Sequence, residues 1–300
     1  MMPVRRPQGP SRAQIWRRRT VALVVAVLAI VGFGAALWVA IPHVREAAAP
    51  PPNPPPPPPP KPFRIVIPEG FTRAETAKRV TAVAKIARRK SGKPVALTSA
   101  QYLAASKRAV VPCYSKRPRT NVEGFLFPAT YDFLRTTSSR ALVQQQIATF
   151  CRNWAKVNLA YARSKQLTPY DVLIIASMVE KETLAPDERR LVAAVIYNRL
   201  KAGMTLGIDA TLRYGLGIPG TEAIRQSQLD SDSPFNTRKH AGLTPTPIGN
   251  PGLASIQAAA HPAPVDYLFF VRKPDKVHHF FTASQSEFNQ YACAHGYGCG

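Results

Sequence analysis

Twenty-one consecutive residues, Val21 to Ile41, carry no charge: VALVVAVLAIVGFGAALWVAI. A helix needs about 20 apolar residues to cross a bilayer core, so this segment predicts a transmembrane helix. The competing reading is a cleaved signal peptide, whose apolar stretch runs only about 7–15 residues before a small-residue cleavage site; the run Ala47-Ala48-Ala49 leaves that option open. Arg5, Arg6, Arg12, Arg17, Arg18 and Arg19 precede the segment with no acidic residue among them. That asymmetry predicts a single-pass protein of the plasma membrane, with a cytoplasmic N-terminus and everything after Pro42 outside.

Compartment decides what the charge means. The chain has 40 basic and 17 acidic residues, of which residues 1–46 hold seven and one, leaving +17 on the exported part. Nucleic acid is a poor partner there, whereas acidic wall polymers and anionic lipid heads are within reach. All four cysteines, Cys113, Cys151, Cys293 and Cys299, are also exported, where disulfides persist. Three pairings are possible; proximity in sequence favours Cys113–Cys151 and Cys293–Cys299. No CxxC or nearby His pair suggests a metal site, and no nucleotide-binding fingerprint suggests a cofactor.

Eleven of the 30 prolines fall between Pro50 and Pro62. Such a run predicts stiff polyproline II at about 3.1 Å per residue, so Pro50 to Pro62 would span roughly 40 Å within a linker at 42–62. The 238 residues from Phe63 onward are enough for a substantial core. Phe63 to Ile67 reads as a strand, and Thr72 with Glu75 has capping-box spacing before a helix rich in Ala, Lys and Arg. Further helices are expected after Thr98, over about 140–164, from Thr168 through VLIIASMVEKET, and over about 187–202. The stretch SPFNTRKHAGLTPTPIGNPG is too rich in Pro, Gly and Asn for regular structure. Residues 266–272 and 278–282 read as a hairpin around KPDK. The class is α+β, mainly helical.

Val172 to Val179 is apolar on nearly every side, which predicts a buried helix, and at its end stand Glu180 and Glu182. Burial raises a carboxyl pKa, and a carboxylic acid held protonated near neutral pH is what a glycosidic oxygen needs as proton donor. At 100° per residue the two lie about 160° apart, so they cannot share a site. Glu182 follows the face of Ile175, Met178 and Val179; Glu180 follows Leu173. On residues alone, two solvated glutamates in a fraying last turn remain as good a reading.

The string IIASMVEKET, then VAAVIYNRLKAGMTLGIDATLRYG, then SPFNT, then GLTPTPIGNPGLASIQAAAHPAPVDYLFFV, resembles the endolytic murein transglycosylase family, the YceG-like proteins. EGFLFPATYDF resembles an earlier motif of the same family. The resemblance implies a membrane enzyme that cuts peptidoglycan glycan strands internally, between N-acetylmuramic acid and N-acetylglucosamine, leaving 1,6-anhydro ends. It implies Glu182 as catalytic residue, with Asn198, Asp209, Thr211, Tyr214, Asn236, Thr237 and Glu123 as substrate-binding candidates. Each of these seven also has a structural reading. It further implies work beside peptidoglycan synthases at the membrane, a partial LysM-like segment at 63–110 and a catalytic domain at 111–300. Ala210, Arg238 and Phe288 depart from the family's usual Pro, Tyr and His. The alternative function is a membrane-anchored peptidoglycan-binding or scaffolding protein without catalysis. A third reading is a hydrolase of the same bond, which needs a second well-placed carboxylate.

Overall fold

The computed structural model describes residues 12–46, 60–114 and 121–297, with side chains in the first stretch described as far as Trp38. It divides into two units, Met1–Pro59 and Pro60–Gly300. Within the first, α1 (Arg12–Glu46) covers the whole uncharged segment. The part from Arg12 to Trp38 is long and apolar enough to cross a membrane, and none of it is buried. Apolar surface exposed all round is what lipid, not water, accommodates. Arg5, Arg6 and most of the proline run lie outside the described residues.

The second unit is a mixed helix and sheet fold. β1 (Phe63–Val66) pairs antiparallel with β2 (Thr130–Phe133), Phe63 opposite Phe133 and Val66 opposite Thr130. Between them in sequence come α2 (Arg73–Ser91) and α3 (Ser99–Lys107), which pack on each other. Thr72 and Glu75 form the expected capping box, satisfying two amides that a helix start leaves bare. Since β1 finds its partner strand beyond residue 110, the segment 63–110 is not closed on itself.

The expected helix over 140–164 is two: α4 (Ser139–Trp154) and α5 (Ala160–Ser164). The chain turns tightly after Trp154, with Val157 N–H bonded to the Trp154 carbonyl, and the Asn158 carboxamide accepts from Ala160 N–H. An Asn side chain that takes a backbone donor in this way competes with continued helix. Cys113 and Cys151 are joined as a disulfide, as proximity suggested. The other pairing involves Cys299, which lies outside the described residues.

α6 (Pro169–Glu182) starts at a Thr168–Asp171 capping box with Pro at its first position. All eight residues from Val172 to Val179 are buried. At roughly 2 kcal/mol per large apolar side chain, the six larger ones hold α6 firmly in the centre. It packs chiefly against α10 (Leu253–Ala260), with α7 (Arg189–Lys201) and α8 (Asp209–Leu216) alongside. A short 3-10 turn, Pro186–Glu188, precedes α7, so the helix proper starts later than the expected Asp187. α9 (Gln226–Leu229) is one turn. No helix or strand occupies 233–252, as the Pro and Gly content implied.

The hairpin forms with shorter strands than expected, β3 (Phe269–Arg272) and β4 (His279–Thr282), Arg272 opposite His279. His278 falls in the turn, because its ring and its amide both bond the Asp275 carboxylate. α11 (Gln285–Ala294) lies against the hairpin.

Candidate active site

Two glutamates end α6, and the structure separates their work. Glu180 accepts the Gly252 amide at 2.9 Å, so it holds the start of α10. A Cβ at Gly252 would displace the Glu69 carboxylate from its place beside it. Glu182, the last helical residue, points elsewhere. Its surroundings are the N-terminus of α8, where the Ala210 amide bonds its carboxylate and Asp209 adds like charge, and the Arg272 guanidinium from β3. The residue keeps part of its surface open, yet burial of the carboxyl pushes its pKa up to about 7, with Asp209 adding to the rise and Arg272 and the Ala210 amide opposing it. This is a buried carboxyl poised near neutrality on a residue that is itself only half-buried.

Three more expected residues stand on elements beside it. Asp209, at the first position of α8, is tied to Arg238 at 2.7 Å. Asn198 on α7 donates to the Val265 and Tyr267 carbonyls, both at 2.9 Å, which holds the entry to the hairpin. Tyr214 on α8 is half-buried, tilted on Phe235 and bonded through its hydroxyl to Glu123 at 3.2 Å.

The other four are buried, with polar atoms engaged by the protein itself. Thr211 is fully buried and its hydroxyl meets the Ile208 carbonyl and Thr237. Thr237 accepts the Ile208 amide at 3.0 Å. Asn236, also fully buried, donates to the Leu229 and Ser231 carbonyls and so pins the SPFNT loop. Glu123 is 3% exposed. It accepts the Arg73 amide on both oxygens, the Tyr214 hydroxyl and the Asn250 carboxamide. Burial still pushes its pKa up to about 7 against those donors.

Sequence reasoning missed Asn250, the hub of this network. Its carboxamide oxygen accepts the Gly124 and Leu126 amides, and its nitrogen donates to the Phe71 carbonyl and Glu123. An Asn between Gly and Pro in an otherwise apolar loop was the available signal. Gly124 is required beside it: φ is +88° and a Cβ would lie 2.7 Å from Pro247. Arg272 and Glu188 were missed too, since nothing near either in sequence points to Glu182. No group of metal-ligating side chains is assembled among the described residues.

The family model of YceG-like proteins matches residues 55–293. This chain belongs to the YceG-like family. A solved structure described as a putative yceG-like protein from Listeria monocytogenes superposes with a TM-score of 0.65 at 29% identity, covering 76% of this chain and 75% of that one. The endolytic murein transglycosylase of Bacillus subtilis strain 168 is 34% identical over 160 residues, 53% of this chain and 44% of the relative. That of Streptococcus pneumoniae strain R6 is 29% identical over 248 residues, 77% and 44% respectively. This YceG-like chain therefore matches less than half the length of either curated relative.

Proposed function

We propose that the exported unit is an endolytic peptidoglycan lytic transglycosylase with Glu182 as its catalytic residue. The observation that carries this reading is the carboxyl at the end of α6, raised to about 7 by burial on a half-buried residue. A general acid works best with a pKa near the operating pH. Protonated Glu182 gives its proton to the glycosidic oxygen as the bond from muramic acid C1 breaks. The substrate acetamido group bears the positive charge that develops. The carboxylate then takes the proton from the muramic acid 6-hydroxyl, whose oxygen closes on C1 to form the 1,6-anhydro ring. No water is consumed, so one carboxyl serves both steps.

Asp209 is the carboxylate that acts on Glu182 by charge, and its bond to Arg238 leaves it poorly available as the base a hydrolase needs. Asn198, Asp209 and Tyr214 line our proposed sugar-binding surface; Glu123, Thr211, Asn236 and Thr237 build the frame under it. The domain plan is a cytoplasmic tail at 1–20, a membrane span at 21–41, a proline spacer at 42–62, a LysM-like segment at 63–110 and the catalytic part at 111–300. The arginines ahead of the span support that orientation. Peptidoglycan synthases at the membrane, which make the strands, are the expected partners.

Mass spectrometry of sacculi treated with the protein tests the reading. Anhydro-ended fragments are expected, with a loss of at least about a thousandfold for Glu182→Gln, at the upper end of what a positioned proton donor contributes. Reducing muramic acid ends would indicate a hydrolase, and binding without cleavage a scaffold.

A further inference from the structure

The turn from Glu182 to Glu188 is gripped at both ends by one face of the β3–β4 hairpin. Arg272 and His279 are opposite one another in the register, so their side chains stand on the same face. Arg272 donates to the Glu182 carbonyl at 3.2 Å. His279 reaches the other end: its ring Nδ1 lies 2.7 Å from the Glu188 carboxylate, which also accepts the His279 amide at 2.8 Å. His279 and Glu188 are 4% and 5% exposed, and Phe270 stands edge-on to the His279 ring at 5.3 Å. A buried, doubly bonded pair of this kind is costly to break. The hairpin therefore has one rigid anchor, and from the directly opposite position in the register it presents a cation to α6.

The last carbonyls of a helix have no partner within it, and a guanidinium there suits the negative end of the helix dipole. Arg272 supplies that partner at the residue whose side chain we assign to catalysis. We propose that Arg272 is a positioning residue for Glu182, held in place by the His279–Glu188 pair. The inference rests on the transglycosylase reading above. It assigns Arg272 two separable effects: the bond to the carbonyl fixes where the Glu182 side chain starts, and the positive charge favours its carboxylate. The other groups facing Glu182 are Asp209 and the Ala210 amide from α8, with Asp209 partly offset by Arg238. Lys181, next along α6, is turned to Glu75 instead, at 3.7 Å.

The test is the pH profile of kcat/KM for glycan cleavage by the full-length protein, which reports the free enzyme's essential acid. Glu182 must be protonated to act, so activity falls as pH rises through its pKa. Removing Arg272 removes a charge that favours the carboxylate, so Arg272→Gln should move the alkaline limb to higher pH. It should also lower kcat by roughly ten- to a hundredfold through misplacement of the acid. Arg272→Lys keeps the charge and loses the fork, so it should return the limb towards the wild-type position with kcat still reduced. Glu188→Gln weakens the anchor and should give a smaller fall in kcat. An unmoved limb in Arg272→Gln overturns the proposal, as does a kcat loss that tracks the folded fraction by circular dichroism in all three variants. Should the wild type release no anhydro fragments, or Glu182→Gln stay active, the transglycosylase reading itself fails. These outcomes are distinct from a normal wild type with an unresponsive Arg272.

Discussion

Glu123 and Glu182 are both carboxyls pushed to about 7 by burial, and they differ in everything else. Glu123 lies in the region where β2, α2 and α8 meet the GNPG loop; four donor contacts from Arg73, Tyr214 and Asn250 fill its oxygens. The Glu182 carboxyl receives one amide, from Ala210, and belongs to a residue that is half-buried as a whole. A raised pKa by itself thus does not mark a reagent. What marks one is acceptor capacity left unspent by the protein, with a route for a substrate to reach it. Glu123 staples a helix start to a loop, whereas Glu182 has fewer protein donors on its oxygens.

The sharpest way to break that contrast is to exchange the two losses. Glu182→Gln should abolish cleavage while leaving the melting temperature within a few degrees, because few bonds depend on it. Glu123→Ala should do the reverse. It leaves the Arg73 amide, the Tyr214 hydroxyl and the Asn250 carboxamide buried without their acceptor, costing about 3–5 kcal/mol. Activity per folded molecule should survive far better than in Glu182→Gln. Thermal unfolding followed by circular dichroism, beside cleavage assays normalised to folded protein, reads both. A Glu182→Gln protein that loses as much stability as Glu123→Ala would erase the distinction.

Much of the Glu182 side was legible in the sequence, and little of the Glu123 side was. The α6 helix announced itself through Thr168-Pro169-Tyr170-Asp171 and seven apolar residues among the eight from Val172 to Val179, and its periodicity put Glu182 on the face of Ile175 and Met178. These signals are local, and local chemistry sets helix starts and faces. Glu123, by contrast, meets Arg73 and Asn250, which lie 50 and 127 positions away. A motif match can flag such a residue without telling a staple from a ligand contact. The hairpin shows the same division. KPDK between apolar runs gave its place, while the reach of Arg272 to a residue 90 positions earlier is a product of packing. The break between α4 and α5 hinged on one Asn158 side chain taking a backbone amide, a choice that periodicity does not see.

The Cys113–Cys151 bridge offers a smaller, regional test. It encloses the stretch that contains Glu123, with a sequence separation of 38. A loop of that length contributes about 4 kcal/mol in the chain-entropy model, where measured values typically run 2–4. Serine at both cysteines should therefore lower the melting temperature. It should also speed amide exchange around Gly124 and Leu126 more than in α6. Hydrogen exchange followed by mass spectrometry checks this, and equal acceleration in α6 would show the two regions to open as one.

The smallest expected effect is the dependence of stability on pH, where both carboxyls push the same way. The ordinary value is 4.5 and the folded value of Glu123 is about 7, so between those limits the folded state binds the extra proton. Stability from this group is therefore fully present below about 4.5 and is lost as pH rises through 7. At about 1.36 kcal/mol per pKa unit the whole span corresponds to roughly 3 kcal/mol. Glu182, whose buried carboxyl is also raised to about 7, adds in the same direction. Melting temperature should thus fall between pH 5 and pH 8, and the slope is the readout. Glu123→Gln lowers the whole curve, since an amide nitrogen now faces donors, but it also flattens the slope, since nothing there titrates. Glu182→Gln should flatten the slope only in part, since Glu123 still titrates. A slope that vanishes with Glu182→Gln and persists with Glu123→Gln would mean that Glu123 does not change its proton over this range, and the pairing of the two carboxyls would have to be redrawn.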